Sequence, residues 1–133
     1  MALYQYVVLA RPKNGREDEF DKWYDGKHLG DMIRVPGVIS AKRFRIVKQM
    51  VTDKKGNMVT DQEGKFATTN LDLPNWYSLV IYEIDAENPR DADDIVAEVI
   101  KVAGTEALPF TSSMNWEGMT QFVAEPMGTA TKA

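Results

Sequence analysis

Two stretches of this sequence, residues 4–11 (YQYVVLAR) and 76–84 (WYSLVIYEI), are rich in aromatic and β-branched side chains on both faces of the strand that each would form. In the first, Tyr4, Tyr6, Val8 and Ala10 share one face, while Val7 and Leu9 occupy the other. In the second, Trp76, Val80, Tyr82 and Ile84 oppose Tyr77, Leu79 and Ile81. An antiparallel sheet with one face in water alternates apolar with polar residues, so these strands call for cover on both sides.

The elements between them say what supplies one of the covers. After the first strand, a Lys-Asn-Gly turn follows Pro12, and Asn14 with Glu17 has the spacing of a capping box, which predicts a helix from about Gly15. Phe20, Trp23 and Tyr24 recur at helical spacing, but in a regular helix Leu29 falls opposite Phe20 at 100° per residue. Gly26 and Gly30 flank that point, so a break or a change of register is expected over residues 26–29. Pro36-Gly37 ends the helix, and residues 38–50 (VISAKRFRIVKQM) resume a strand pattern, with Ile39, Ala41, Arg43, Arg45 and Val47 on one face. Asn88-Pro89 opens a second helix supported by Asp91, Asp93 and Asp94, with an apolar face of Ile95, Val96, Val99, Ile100 and Val102 and a closing Gly104. Residues 119–125 (MTQFVAE) form the last strand.

The order βαββαβ predicts an α+β, ferredoxin-like domain: a four-stranded antiparallel sheet with two helices on one face. With 133 residues against a typical domain of about 150, it is one domain over residues 1–127, with residues 51–74 as a hairpin or loop insertion and residues 128–133 as a flexible tail. Two helices cover only one sheet face. The other, left bare, is an apolar patch of roughly several hundred Å2, and pairing two copies sheet to sheet covers it and encloses a cavity between them. The alternative is that the 51–74 insertion folds back over the sheet.

Composition narrows the function. Sixteen basic and twenty acidic residues, interspersed, give a net charge of −4 and no basic patch, which argues against a nucleic-acid partner. The absence of cysteine excludes a disulfide and a thiol nucleophile, and a single histidine speaks against a zinc site. No stretch approaches the ~20 apolar residues of a membrane span, and no basic leader or small-residue cleavage site brackets the first apolar run, so a cytoplasmic, membrane-free protein is expected.

The lone histidine, His28, is the residue best suited to chemistry. In a helix Tyr24 lies four residues before it and Asp25 three before it, on one side. A carboxylate there would raise the imidazole's pKa and set its tautomer, as a general acid or base requires. The bland alternative is a surface histidine satisfied by Asp25 near a helix end. Trp23 and Tyr24 at helical spacing read first as core. Arg43, directed into an apolar cavity, would hold a carboxylate or an enolate, or else pair at an interface. Tyr6, Trp76, Tyr82 and Trp116 are candidates for an aromatic lining around a flat substrate.

The stretch EFDKWYDGKHLGDMIRVPGVISAKRF resembles the first helix and second strand of the dimeric α/β-barrel superfamily, especially its EthD-like branch. There an aromatic pair, an acidic residue and a histidine precede a Pro-Gly turn and a strand. The likeness covers about 45 residues in motif terms, plus the element order of the whole chain. It departs from the usual pattern at Gly30, where proline is common, and in the 51–74 insertion. The resemblance implies a homodimer with His28 in the barrel-facing functional position and Tyr24 beside it. It also implies a cofactor-free enzyme acting on a hydrophobic, carbonyl-bearing small molecule, of the polyketide cyclase, lactone isomerase or dehydratase type. In that reading His28 moves a proton, Asp25 orients it, and Tyr24 and Arg43 stabilise the enolate. The alternatives are a cofactor-free quinol-type monooxygenase and a non-catalytic protein that binds a hydrophobic ligand.

Overall fold

The computed structural model describes residues 2–47, 55, 57, 76–104 and 114–132, without the side chains of 2 and 115–118. The expected 51–74 insertion therefore lies, apart from Lys55 and Asn57, outside the described residues. Strands β1 (Ala2–Pro12), β2 (Val38–Arg45), β3 (Ser78–Ala86) and β4 (Met114–Ala124) form one antiparallel sheet in the order β2-β3-β1-β4. This is the ferredoxin-like α+β arrangement that the element order predicts.

Strand parity divides the sheet into two unlike faces. Tyr4, Tyr6, Val8 and Ala10 of β1 and Ser78, Val80, Tyr82, Ile84 and Ala86 of β3 are all buried under the helices. On the reverse face Leu9, Leu79 and Ile81 are half-buried, and Leu3, Phe44 and Phe122 are exposed in the single chain. The second apolar face is thus present as expected. In β2 the parity slips once: a register shift between Val38 and Ser40 makes Ile39 the extra residue of a bulge, 51% exposed. Ile39 therefore does not share the face of Ala41, Arg43 and Arg45, which lie opposite Tyr82, Val80 and Ser78.

The first helical arm begins with α1 (Glu17–Trp23), two residues later than the capping pattern implies. Gly15 takes a positive φ of 81° in the turn, and its N–H donates to the Glu17 carboxylate at 3.2 Å; the Asn14 side chain is not the cap. A π-helical turn, Tyr24–His28, and a short α2 (Leu29–Met32) continue the arm. The expected change of register is this π-turn, closed by the Leu29 N–H donating to the Tyr24 carbonyl five residues back.

The second helix, α3 (Pro89–Gly104), starts where Asn88 Oδ1 accepts the Asp91 N–H at 2.9 Å, and it buries Ala92, Val96 and Val99. Gly37 ties the end of the first arm to β3: its φ is 96°, and its carbonyl accepts the Asp85 N–H at 2.9 Å. A Cβ there would stand 2.6 Å from Ile95 Cδ1 on α3. Gly37→Ala is therefore expected to cost about 1–3 kcal/mol, from the left-handed backbone and from displacement of Ile95. Urea denaturation of the variant with an unchanged midpoint would contradict that account.

Candidate functional site

The helix-covered face of the sheet is not fully filled. A cavity of about 210 Å3 opens between it and the helical layer, lined among the described residues by Tyr6 and Val8 of β1, Tyr82 of β3, and Met114, Met119 and Gln121 of β4. Tyr24, His28 and Met32 of the first arm and Val99, Ile100, Ala103 and Gly104 of α3 complete the wall. Small residues at the end of α3 leave this room. The cavity lies within the single chain, on the helix side of the sheet; the space between two facing sheets that the strand pattern led one to expect would need a second copy.

His28 is 6% exposed and forms part of that wall. Its ring stacks on Trp23 with centroids 4.1 Å apart and meets the Tyr24 ring edge-on at 5.0 Å. Burial pushes its pKa down to about 4, against an upward pull from Asp31, with Lys27 adding to the depression. At neutral pH the imidazole is therefore uncharged, with one nitrogen a donor and the other an acceptor. The sequence expectation was the opposite, a pKa raised by Asp25. Asp25 turns instead to Arg43, whose guanidinium donates to both carboxylate oxygens at 3.2 and 3.3 Å.

Arg43 belongs to a separate polar cluster at the β2 side of the arm. It also donates to Asp21 at 2.7 Å, and Tyr77 donates to the same carboxylate at 2.5 Å. Arg45 donates to Tyr77 at 2.9 Å and stands 3.6 Å from Asp21. Burial works to raise the Asp21 carboxyl, but the bonds from Tyr77 and Arg43 overcome it, so the group ends below the ordinary carboxylate value. These side chains border their own cavity of about 230 Å3. Tyr24 stands between the two regions: its ring carries the Arg43 guanidinium at 4.5 Å and contacts His28 at 5.0 Å.

Of the residues singled out from the sequence, the structure brings His28, Tyr24, Tyr6 and Tyr82 together around the apolar cavity. Asp25 and Arg43 are near one another but in the polar cluster. Trp76 is half-buried just ahead of β3 and is not in the cavity wall, and the side chain of Trp116, on β4, lies outside the described residues. Sequence reasoning missed Gln121. Its Oε1 accepts a hydrogen bond from the Tyr6 hydroxyl, whose pKa burial pushes up to about 12, so that the phenol is a donor throughout the neutral range. Tyr6 is held in turn by stacking on Tyr82 at 5.5 Å. The signal that marks Gln121 is parity: it pairs with Val8, which places it on the helix-side face of the sheet with Val123, although both are exposed in the single chain.

Among the described residues no three His, Asp or Glu side chains gather as a metal site, and no helix is long and apolar enough to cross a membrane. No family model and no curated protein matches the chain. Among solved structures, an ethyl tert-butyl ether d (EthD) family protein from Bacillus halodurans is similar, with a TM-score of 0.51 over 96% of this chain and 100% of that one, at 17% identity. The likeness is one of fold. The chain has an EthD-like α+β fold, with its cavity on the helix side of the sheet.

A buried neutral histidine makes stability depend on pH. Between the unfolded value near 6.5 and the folded value of about 4, the unfolded chain binds the proton that the folded chain refuses. The stabilisation is thus complete above pH 6.5 and is lost as pH falls through that window, by about 3 kcal/mol at ~1.4 kcal/mol per pKa unit. Urea unfolding at pH 7 and pH 4.5 should show this loss in the wild type, and a markedly smaller one in His28→Gln.

Proposed function

We propose that the apolar cavity is an active site in which His28 moves a proton of a hydrophobic, carbonyl-bearing small molecule, in an enzyme of cyclase, isomerase or dehydratase type that uses no cofactor. The observation that carries this reading is an imidazole, 6% exposed, set in the wall of a largely apolar cavity beside the Tyr24 phenol. At about 210 Å3 the cavity is below the ~300–1,000 Å3 of drug-sized pockets, a size suited to one or two fused rings.

In the proposed step the unprotonated imidazole nitrogen takes the proton from the carbon next to the carbonyl. The C–H bond breaks, an N–H bond forms, and the electron pair moves onto the carbonyl oxygen, where hydrogen-bond donors of the wall stabilise it. A base whose conjugate acid has a pKa of about 4 is weak, so it works on an acidified C–H, such as one flanked by two carbonyls or by a carbonyl and an arene. The same burial makes the imidazolium a strong acid that gives the proton back, which suits isomerisation, dehydration and ring closure over net deprotonation. Asp25 does not orient the ring in this scheme; that role falls to the Trp23 stack. Arg43 acts from behind Tyr24 by holding its ring, not by touching the substrate. The exposed reverse face of the sheet, with Leu3, Phe44 and Phe122, is where a second copy would pair.

The test is exchange of the α-hydrogens of 2-tetralone for deuterium in D2O, followed by NMR. The protein should accelerate it, with a rate flat above pH 6 that falls as pH drops toward about 4. His28→Ala should slow the catalysed exchange by roughly 100-fold or more. Equal rates in the two proteins would remove His28 from the chemistry and leave a ligand-binding protein.

A further inference from the structure

We propose that the cavity selects an uncharged ligand and that Gln121 recognises that ligand's carbonyl oxygen. This deepens the reading of the same cavity as a carbonyl site, but it concerns binding and does not depend on turnover.

The selection for neutrality follows from what the wall holds. Among the described residues it contains no Lys, Arg, Asp or Glu. Its polar groups are phenols, one amide and one imidazole, and the last is uncharged at neutral pH. A carboxylate entering this space would lose its hydration and meet no counter-charge, whereas a ketone or lactone gives up little. The chain's arginines Arg43 and Arg45 are committed to Asp21, Asp25 and Tyr77 in the polar cluster beyond Tyr24.

Recognition of the oxygen follows from how Gln121 is held. Tyr6 is 4% exposed and stacked on Tyr82, so its hydroxyl is fixed in place, and it donates to Gln121 Oε1. The amide oxygen faces the Tyr6 hydroxyl, and the Nε2 hydrogens take no acceptor among the described residues. Gln121 lines the cavity from β4, whereas His28 lines it from the π-turn. An amide N–H2 fixed in this way matches the in-plane lone pairs of a carbonyl. The ligand oxygen thus has a donor on one element and the proton acceptor stands on another.

Three probes of one shape separate the terms: tetralin, 2-tetralone and tetralin-2-carboxylate, titrated at pH 7 into the full chain by calorimetry. The wild type is expected to bind 2-tetralone about 10-fold more tightly than tetralin, the contribution of one neutral hydrogen bond, and the carboxylate most weakly. Gln121→Leu should erase the preference for the ketone over tetralin, and Tyr6→Phe, which frees the amide, should reduce it. Three results would each overturn the proposal: a preference that survives in Gln121→Leu, carboxylate binding as tight as ketone binding, or no binding of any probe by the wild type. Circular dichroism of each variant checks that the fold is kept. Deuterium exchange that is indifferent to His28→Ala, with the ketone preference intact, would remove the catalytic reading and leave this one standing.

Discussion

The structure depends on a mismatch between a spacing of four and a helix of 3.6 residues per turn. Phe20, Tyr24, His28 and Met32 are all buried, at 0%, 2%, 6% and 0% exposure. At 100° per residue each step of four over-rotates by about 40°, so a regular helix would carry Met32 about 120° away from Phe20. The π-turn over Tyr24–His28 takes up an extra residue and rotates the rest of the arm back. It is this turn that puts an imidazole into the wall of an apolar cavity, where burial keeps it neutral.

Tyr24 separates two electrostatic regimes. On the β2 side, Arg43 and Arg45 pair with Asp21 and Asp25, and the Arg43 side chain is only 10% exposed. On the other side the wall carries dipoles but no formal charge among the described residues. Charges collected on one side can be paired and hydrogen-bonded, while the other side stays dry enough to hold a neutral, hydrophobic molecule. The fold class alone does not dictate this division; it comes from one aromatic ring on the π-turn with a cation over its face.

Much of this was legible in the sequence. The strand pattern and the order of elements led to the observed sheet, and the position of Leu29 opposite Phe20 in a regular helix pointed to the irregular turn. What was not legible came from geometry that periodicity does not carry. The pairing of Asp25 with His28 assumed i, i+3 angles that the π-turn alters, and Asp25 meets Arg43 instead. Arg43 shares a face with Ala41 and Arg45 as parity implied, but it borders the polar cavity and not an apolar one. The bulge at Ile39 broke an alternation that looked continuous. Gln121 was passed over because its place on the helix-side face follows only from the register with Val8. The helix-side cavity was not foreseen because the helix layer was assumed to fill its own face of the sheet.

The chain has a single histidine, so one imidazole signal reports on the site without ambiguity. A 15N or 13C NMR titration of that ring from pH 8 down to the acid unfolding limit measures the central claim directly. The account predicts a neutral imidazole through pH 6 and 5, taking up its proton only near pH 4. A midpoint close to the ordinary value of 6.5 would show a ring open to water, and the dry cavity with its neutral base would have to be abandoned.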